Sequence, residues 1–430
     1  RGGFSAALAA TLGVDSFWRE GLVRKGLFAG LDDNGQEISY DGRLLTSYDD
    51  KGRVISSKGK SEVSTFFTWS TKLALAYELA GGHRFSVNAG YFNDAPTFNQ
   101  SFISARTRNS LVEDLTTVKT LSADVNYQYN NSGYSLRVTG FYTGIKDQTD
   151  VMSFYDDSQH SFTNFAMTGI DQRHLGLELG VKVPLFVDGL TASAVLSWGE
   201  YVYTSNPKMV QTVDNSAEVV RSESVPYWKS HPVYKVAGVV DGVTVYDQDV
   251  DGNYIVEKNV KHYVPSTPQL AANLGFNYRL PSYWFFSLGA NFYAHNYLSM
   301  NPLYRTELAV VGPDDKLSSV SREEHRRTWL LTEEIVNQGL SADEIEYMAA
   351  QERFDPVVIV NASIGKSWYI QRKYQFGFSL ELKNMLNNTD VRTGGYEQTR
   401  LLKSGSYTRY YRFDSKYFYM QGANYMLNLY

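Results

Sequence analysis

The sequence predicts an all-β protein, a transmembrane antiparallel β-barrel, on three observations. Apolar and polar residues alternate with a period of two over long stretches. Short turns alternate with long polar connections. The chain also holds 32 Tyr, 23 Phe and 7 Trp among 430 residues, yet its mean hydropathy is −0.34. Apolar residues spread thinly along many strands, one face in lipid and one in water, reconcile the last two numbers.

The strands follow in order. A first one covers roughly residues 4–17. Leu73, Leu75, Tyr77 and Leu79 pass through Gly81-Gly82 to Phe85, Val87, Ala89 and Tyr91. In residues 121–130, Leu121, Ala123, Val125, Tyr127 and Tyr129 share one face, and Ser122, Asp124, Asn126, Gln128 and Asn130 the other, because successive strand residues point to opposite sides. Asn130-Asn131-Ser132-Gly133 is a hairpin signal that leads to Tyr134, Leu136, Val138 and Tyr142. Leu175, Leu177, Leu179, Val181 and Val183 turn at Asp188-Gly189 into Leu190, Ala192, Ala194, Leu196 and Trp198. Leu270, Ala272, Leu274, Phe276, Tyr278 and Leu280 turn at Pro281-Ser282 into Trp284, Phe286, Leu288, Ala290 and Phe292. Val358, Val360, Ala362 and Ile364 turn at residues 371–373 into Tyr374, Phe376, Phe378, Leu380 and Leu382, and a last strand covers roughly residues 416–430.

That makes about twelve strands of about 10–15 residues, longer than the 5–6 usual in soluble sheets. The long connections, expected outside the cell, are roughly residues 19–65, 93–116, 148–170, 205–266, 299–355 and 389–414. Charged residues such as Asp124, Arg137, Glu178, Lys182, Arg279, Glu381 and Lys383 fall on the polar faces, which suits a watery lumen. Aromatics at strand ends, among them Trp284, Trp368, Tyr369, Tyr417 and Tyr419, suit interfacial girdles.

Composition narrows the function. The absence of Cys removes disulfide scaffolds, Cys-ligated metal sites and thiol catalysis. A net charge of −5 gives no footprint for nucleic acid. No stretch of 18 apolar residues exists that could form a transmembrane helix. The start at Arg1, without Met or an apolar signal core, suggests a mature or internal piece of a longer protein. Tyr425, Leu427 and Leu429 fall on the lipid face and Tyr430 on the lumen face; outer-membrane barrels resemble one another in ending on a lipid-facing aromatic, and that resemblance implies the loss of one or three C-terminal residues.

Three stretches carry a resemblance: residues 93–99 (Asn-Asp-Ala-Pro-Thr-Phe-Asn), residues 102–109 (Phe-Ile-Ser-Ala-Arg-Thr-Arg-Asn) and residues 169–180, from Gly169-Ile170-Asp171 to Gly180. With Trp18-Arg19-Glu20-Gly21, Asn384-Met385-Leu386-Asn387-Asn388 and Gly422-Ala423-Asn424-Tyr425, their order resembles that of TonB-dependent outer-membrane receptors of the Bacteroidetes type, a group that often carries a carboxypeptidase-regulatory-like domain. The resemblance implies a barrel of 22 strands closed around an N-terminal plug, with energy delivered by TonB. Residues 1–430 would then be the C-terminal part of the barrel domain, lacking the plug and the N-terminal strands. The implied function is uptake of a nutrient ligand, with no enzyme activity. The implied partners are outer-membrane lipid, the remainder of the receptor, TonB through the plug and a surface lipoprotein.

Two alternatives stand beside this: a self-contained 12-stranded outer-membrane enzyme of phospholipase type, which needs a Ser and His together at the rim, and a scaffold barrel that docks surface lipoproteins. Arg106, Arg108, Arg173, His174 and His295 are candidate ligand-binding residues at the mouth or lumen, with pairing to Asp94, Glu113 or Asp171 as the plainer reading. Asp247, Asp249 and Asp251, followed by Gly252, match the first half of a calcium loop, although the twelfth position is Lys258 and Glu257 falls one residue early; an acidic hairpin tip is the alternative. Residues 321–353 read as helix, with a capping box from Ser341 to Glu344. The seven His show no metal-ligand spacing.

Overall fold

The computed structural model describes residues 2–19, 39–40, 43–44, 47–48, 54–55, 61–104, 111–156, 161–213, 219–265, 267–306, 309, 341–371, 373–404 and 407–430. Twelve wall strands follow one another in chain order, each antiparallel to the next: β1 (Gly3–Phe17), β2 (Ser64–Leu79), β3 (His83–Asp94), β4 (Val118–Asn131), β5 (Tyr134–Asp156), β6 (Ser161–Pro184), β7 (Leu190–Tyr203), β8 (Leu270–Arg279), β9 (Trp284–Ala294), β10 (Val357–Ile370), β11 (Tyr374–Lys383) and β12 (Asn424–Leu429). Among the described residues β1 and β12 are not paired with each other, so the wall is an open sheet.

Register keeps each face of one character. Leu121 lies opposite Gly144, Ala123 opposite Tyr142 and Val125 opposite Gly140 on the apolar side, whereas Asn126 lies opposite Thr139 and Gln128 opposite Arg137 on the polar side. A one-residue slip would exchange the faces, so the alternation itself specifies the register. The apolar side is exposed along the wall: Leu8 is 79% exposed, Val125 61% and Leu274 51%. On the polar side the Asn88 amide donates to Asp124 at 2.7 Å, the Thr139 hydroxyl donates to Asn126 at 2.7 Å, and Arg137 reaches both Thr139 and Asn126. Polar groups satisfied on one side and bare apolar side chains on the other are what a lipid-embedded wall requires.

Several sequence-based boundaries change. The expected loop 148–170 is mostly strand: β5 runs to Asp156 and β6 starts at Ser161. Alternation fails there because both faces are buried, as at Phe165, Ala166 and Met167, and a period of two reports a strand only when one side meets solvent or lipid. The expected last strand 416–430 is two elements, the end of a long loop hairpin (Arg392–Ser404 with Tyr407–Tyr419) and β12. Within the expected helix 321–353, the described helical part is α1 (Ala342–Ala349), and residues 321–340 lie outside the described residues. Its capping box is formed, with Ser341 and Glu344 each accepting from the other's backbone N–H.

The long connections also pair with themselves. Lys208–Val213 pairs with the outer part of β6 and with Val219–Ser224, Ser230–Tyr234 with Val256–Lys261, and Val236–Val240 with Val243–Tyr246. These pieces enclose the molecule's main hydrophobic cluster, which includes Phe165, Met167, Trp228, Met300, Leu303, Tyr304, Ile345 and Met348. The apolar core therefore sits in a loop body above the wall, while the wall leaves its own apolar residues for lipid.

Candidate functional site at the barrel mouth

The mouth is assembled at the ends of the wall strands opposite the short turns. At β1, Phe17 packs against Phe66, Phe98 and Phe102 with ring centroids 5.8, 6.0 and 6.3 Å away. Arg19 lies over the Phe102 ring at 4.4 Å and donates to the Ser104 carbonyl at 2.9 Å. Phe98, Phe102 and Arg19, which drew attention in the sequence, thus form one aromatic knot that closes the loop onto the wall.

Gly169-Ile170-Asp171 is a bulge where β6 leaves the wall for the loop body. Gly169 has φ +75°, and the β5–β6 register shifts twice between Met167 and Gln172. Asp171 accepts from the Asp147 N–H at 3.0 Å, and Ser205 donates to the Gly169 carbonyl at 2.7 Å. A left-handed residue is easiest for Gly, and a bulge bends the strand that carries it.

Inside the loop body lies a buried ionic triad. Glu397 and Arg305 have no exposed surface, and Arg305 holds Glu397 with both terminal nitrogens, one at 2.8 Å. Arg412 reaches the same carboxylate at 3.1 Å. The same guanidinium groups also cap the end of α1: Arg305 donates to the Ala350 carbonyl at 2.7 Å, and Arg412 donates to those of Tyr347 at 2.6 Å and Ala350 at 2.7 Å. Cations at a helix C-terminus satisfy carbonyls that the helix cannot. The triad thereby ties together the 302–305 turn, α1 and the 392–419 hairpin.

Beside it His231 and His262 stack 5.0 Å apart, with His231 Nδ1 and His262 Nε2 at 2.8 Å. His262 Nδ1 lies 2.9 Å from the Trp228 carbonyl, which can only accept. His262 Nδ1 must therefore carry a proton, its Nε2 accepts, and His231 Nδ1 donates. Burial and the charges of Arg305 and Arg412 push His231 down to about 4 and hold His262 well below its ordinary value.

The sequence candidates part company. Arg106 and Arg108 lie outside the described residues. Arg173 and His174 are adjacent on β6, so they face opposite sides. Arg173 is on the outer face with Leu175 and binds Glu200, which Lys261 also holds at 2.6 Å. His174 is on the lumen face, 3.0 Å from the Gln172 amide oxygen, and its ring lies 5.1 Å from Tyr201, which is 6.3 Å from Phe141. His295 is exposed, with φ +57° just beyond β9, and borders a groove on the outer face. Of the three that are described, only His174 lies on the lumen face.

The acidic hexapeptide is a hairpin tip. Asp249 accepts from the backbone N–H groups of Asp251 and Asn253, both at 2.9 Å, which lower its carboxyl below the usual range. Asp247 is paired with Lys235 at 2.5 Å. Among the described residues no group of three or more His, Asp or Glu converges as a metal site. The triad and the His pair were not legible as sites in the sequence. Their members are 15 to 107 positions apart, and only the folded loops bring them together.

Residues 37–319, about two thirds of the chain, match the family model described as TonB dependent receptor-like, beta-barrel. Among solved structures the chain is similar to the copper transporter OprC, at 12% identity over 87% of this chain and 41% of that one, with a TM-score of 0.49. It is also similar to the ferric-catecholate import receptor Fiu from E. coli K12 (12% identity, 91% and 38% covered, TM-score 0.42) and to the ferric yersiniabactin uptake receptor FyuA from Yersinia pestis (13%, 88% and 39%, TM-score 0.43). The chain spans about two fifths of the length of these structures. No curated protein matches it.

Proposed function

The chain belongs to the TonB-dependent receptor-like β-barrel family of the outer membrane, and from that premise we propose that it forms the C-terminal wall and the extracellular loops of a transporter that takes up a nutrient ligand. The observation that carries this reading is the open twelve-strand wall, apolar outside and hydrogen-bonded inside. Open sheet edges do not persist in hydrocarbon, where each unpaired backbone group costs several kcal/mol. In this reading the edges of β1 and β12 pair with about ten further strands, and a plug in the remainder of the receptor fills the lumen and receives energy from TonB. The Bacteroidetes-type motifs favour a receptor with a carboxypeptidase-regulatory-like domain and a surface lipoprotein as partner. The family is one of receptors, so the phospholipase alternative is set aside.

The ligand path in this reading runs past the lumen face of β5–β7, where Phe141, His174 and Tyr201 offer rings and one imidazole. The test is uptake by the full receptor in cells. Labelled nutrients of several classes are offered with TonB present, absent or uncoupled. We expect uptake of one class to require TonB and to fall at least severalfold in His174→Ala. Uptake that proceeds equally without TonB overturns the transporter reading.

A further inference from the structure

The outer face carries a groove that transport through the lumen does not use. It has a volume of about 590 Å³ and is lined by Leu175, Leu177, Trp198, Leu270, Tyr263 and Tyr297, among others. The first four stand on the apolar side of β6, β7 and β8, where Trp198 lies opposite both Leu177 and Leu270. The groove is therefore continuous with the lipid-facing belt. Its outer end is closed by Tyr263 and Tyr297, stacked 4.3 Å apart at 10°. Stacked tyrosines at the end of an apolar belt mark the boundary between hydrocarbon and head groups.

At that boundary, Arg173, which like Tyr263 pairs with Val202, and Lys261 flank Glu200, itself part of the groove lining, on the same outer face. Two cations share one carboxylate, which leaves one positive charge uncompensated within the cluster. Arg173 Nε has no hydrogen-bond partner among the described residues. Arg353 adds a further cation at Tyr297, with which it pairs across an isolated bridge. Cations at this depth have no role in burying the belt, and they complement an anionic head group that sits over hydrocarbon.

We propose that this groove is a binding site for a lipid of the outer leaflet whose phosphorylated head group is net anionic, with an acyl chain along Leu175, Leu177, Trp198 and Leu270 and the phosphate between Arg173 and Lys261. Both halves of the site are needed: the chain contributes through burial of apolar surface, and the phosphate through charge-assisted hydrogen bonds from Arg and Lys. The inference rests on the outer-membrane location of the barrel and not on what the receptor transports.

The test is native mass spectrometry of the full receptor, delipidated in detergent and titrated with diphosphoryl lipid A, dephosphorylated lipid A, phosphatidylethanolamine or inorganic phosphate. We expect one diphosphoryl lipid A to be retained per barrel, at least tenfold more weakly in the double variant Arg173→Gln/Lys261→Gln and in Trp198→Ala. Trp368→Ala, on the lipid belt of β10 away from the groove, serves as control and should retain it as the wild type does. Equal retention of phosphatidylethanolamine or of dephosphorylated lipid A, retention unchanged in the groove variants, or competition by inorganic phosphate alone each overturns the proposal. Loss of TonB-dependent uptake leaves these masses unaltered, so the two readings fail separately.

Discussion

Glu397 shows how much one side chain can hold. It is fully buried and pairs with two guanidinium groups that themselves cap α1. Glu397→Gln removes that charge and leaves Arg305 buried without it, a change that costs about 3–5 kcal/mol in comparable pairs. In the full receptor we expect the 392–419 hairpin to become sensitive to protease while the wall stays folded. Replacing all three members together by apolar residues of similar size should be far milder, because no orphaned charge remains. The neighbouring His pair responds to pH with a definite sign. Both imidazoles have depressed values in the fold, so between about 6.5 and about 4 the unfolded loop binds more protons than the folded one. Stability of the loop body is then complete above about pH 6.5 and falls as the pH drops toward 4. Protease sensitivity of the receptor measured from pH 7.5 to 4 checks this, and His231→Gln should flatten the dependence.

Strands and connectors carry the next level. On β8, Leu274 faces lipid and Asn277 faces the lumen. Leu274→Arg should cost about 2–4 kcal/mol near mid-membrane, and Asn277→Arg should stay within about 0.5 kcal/mol; urea titration of the receptor in lipid vesicles separates them. The Asn384–Asn388 connector is a different kind of element. Asn384 sits at φ +49° and donates to the carbonyls of Asn388 at 2.9 Å and Gln421 at 3.0 Å, while Asn387 accepts from the Ala423 N–H at 2.8 Å. One short segment thereby fixes where the chain leaves β11 and where it starts β12. Asn384→Ala loses these two bonds, a third that its side chain accepts from the Asn388 N–H at 3.1 Å, and the residue's tolerance for a left-handed backbone, at a cost on the order of 2 kcal/mol. A lower temperature for loss of the folded, heat-modifiable band on gels would register it. Asn384→Gly should lose less, since it keeps the backbone freedom.

At the scale of the whole molecule, the wall is, among the described residues, a sheet with two free edges, and the loops are a body with its own core. Expressed alone, the chain should exchange amide hydrogens quickly in β1 and β12 and slowly in β6 and β7, and the edge strands should become protected in the full receptor. Hydrogen-exchange mass spectrometry reads both states. The wall was legible in the sequence because lipid on one side and water on the other impose a period of two: Leu121 to Asn130 announces its strand, its register and its faces without reference to any other segment. The motifs at residues 93–99, 102–109, 169–180 and 384–388 were visible too, but only the fold shows that Phe98 and Phe102 join in a knot, that Gly169 opens a bulge and that 384–388 is a connector. The loop body was not legible. Around Phe165 and Met209 both strand faces are buried, so alternation vanishes, and Arg305, Glu397 and Arg412 meet only through closure of long loops. Arg173 and His174 end on opposite sides of the wall for the other reason, that successive residues of one strand alternate. The sequence by itself determined the alternation and therefore the barrel wall; the tertiary structure decided which charges meet, because contacts between distant loops leave no periodic trace in the chain.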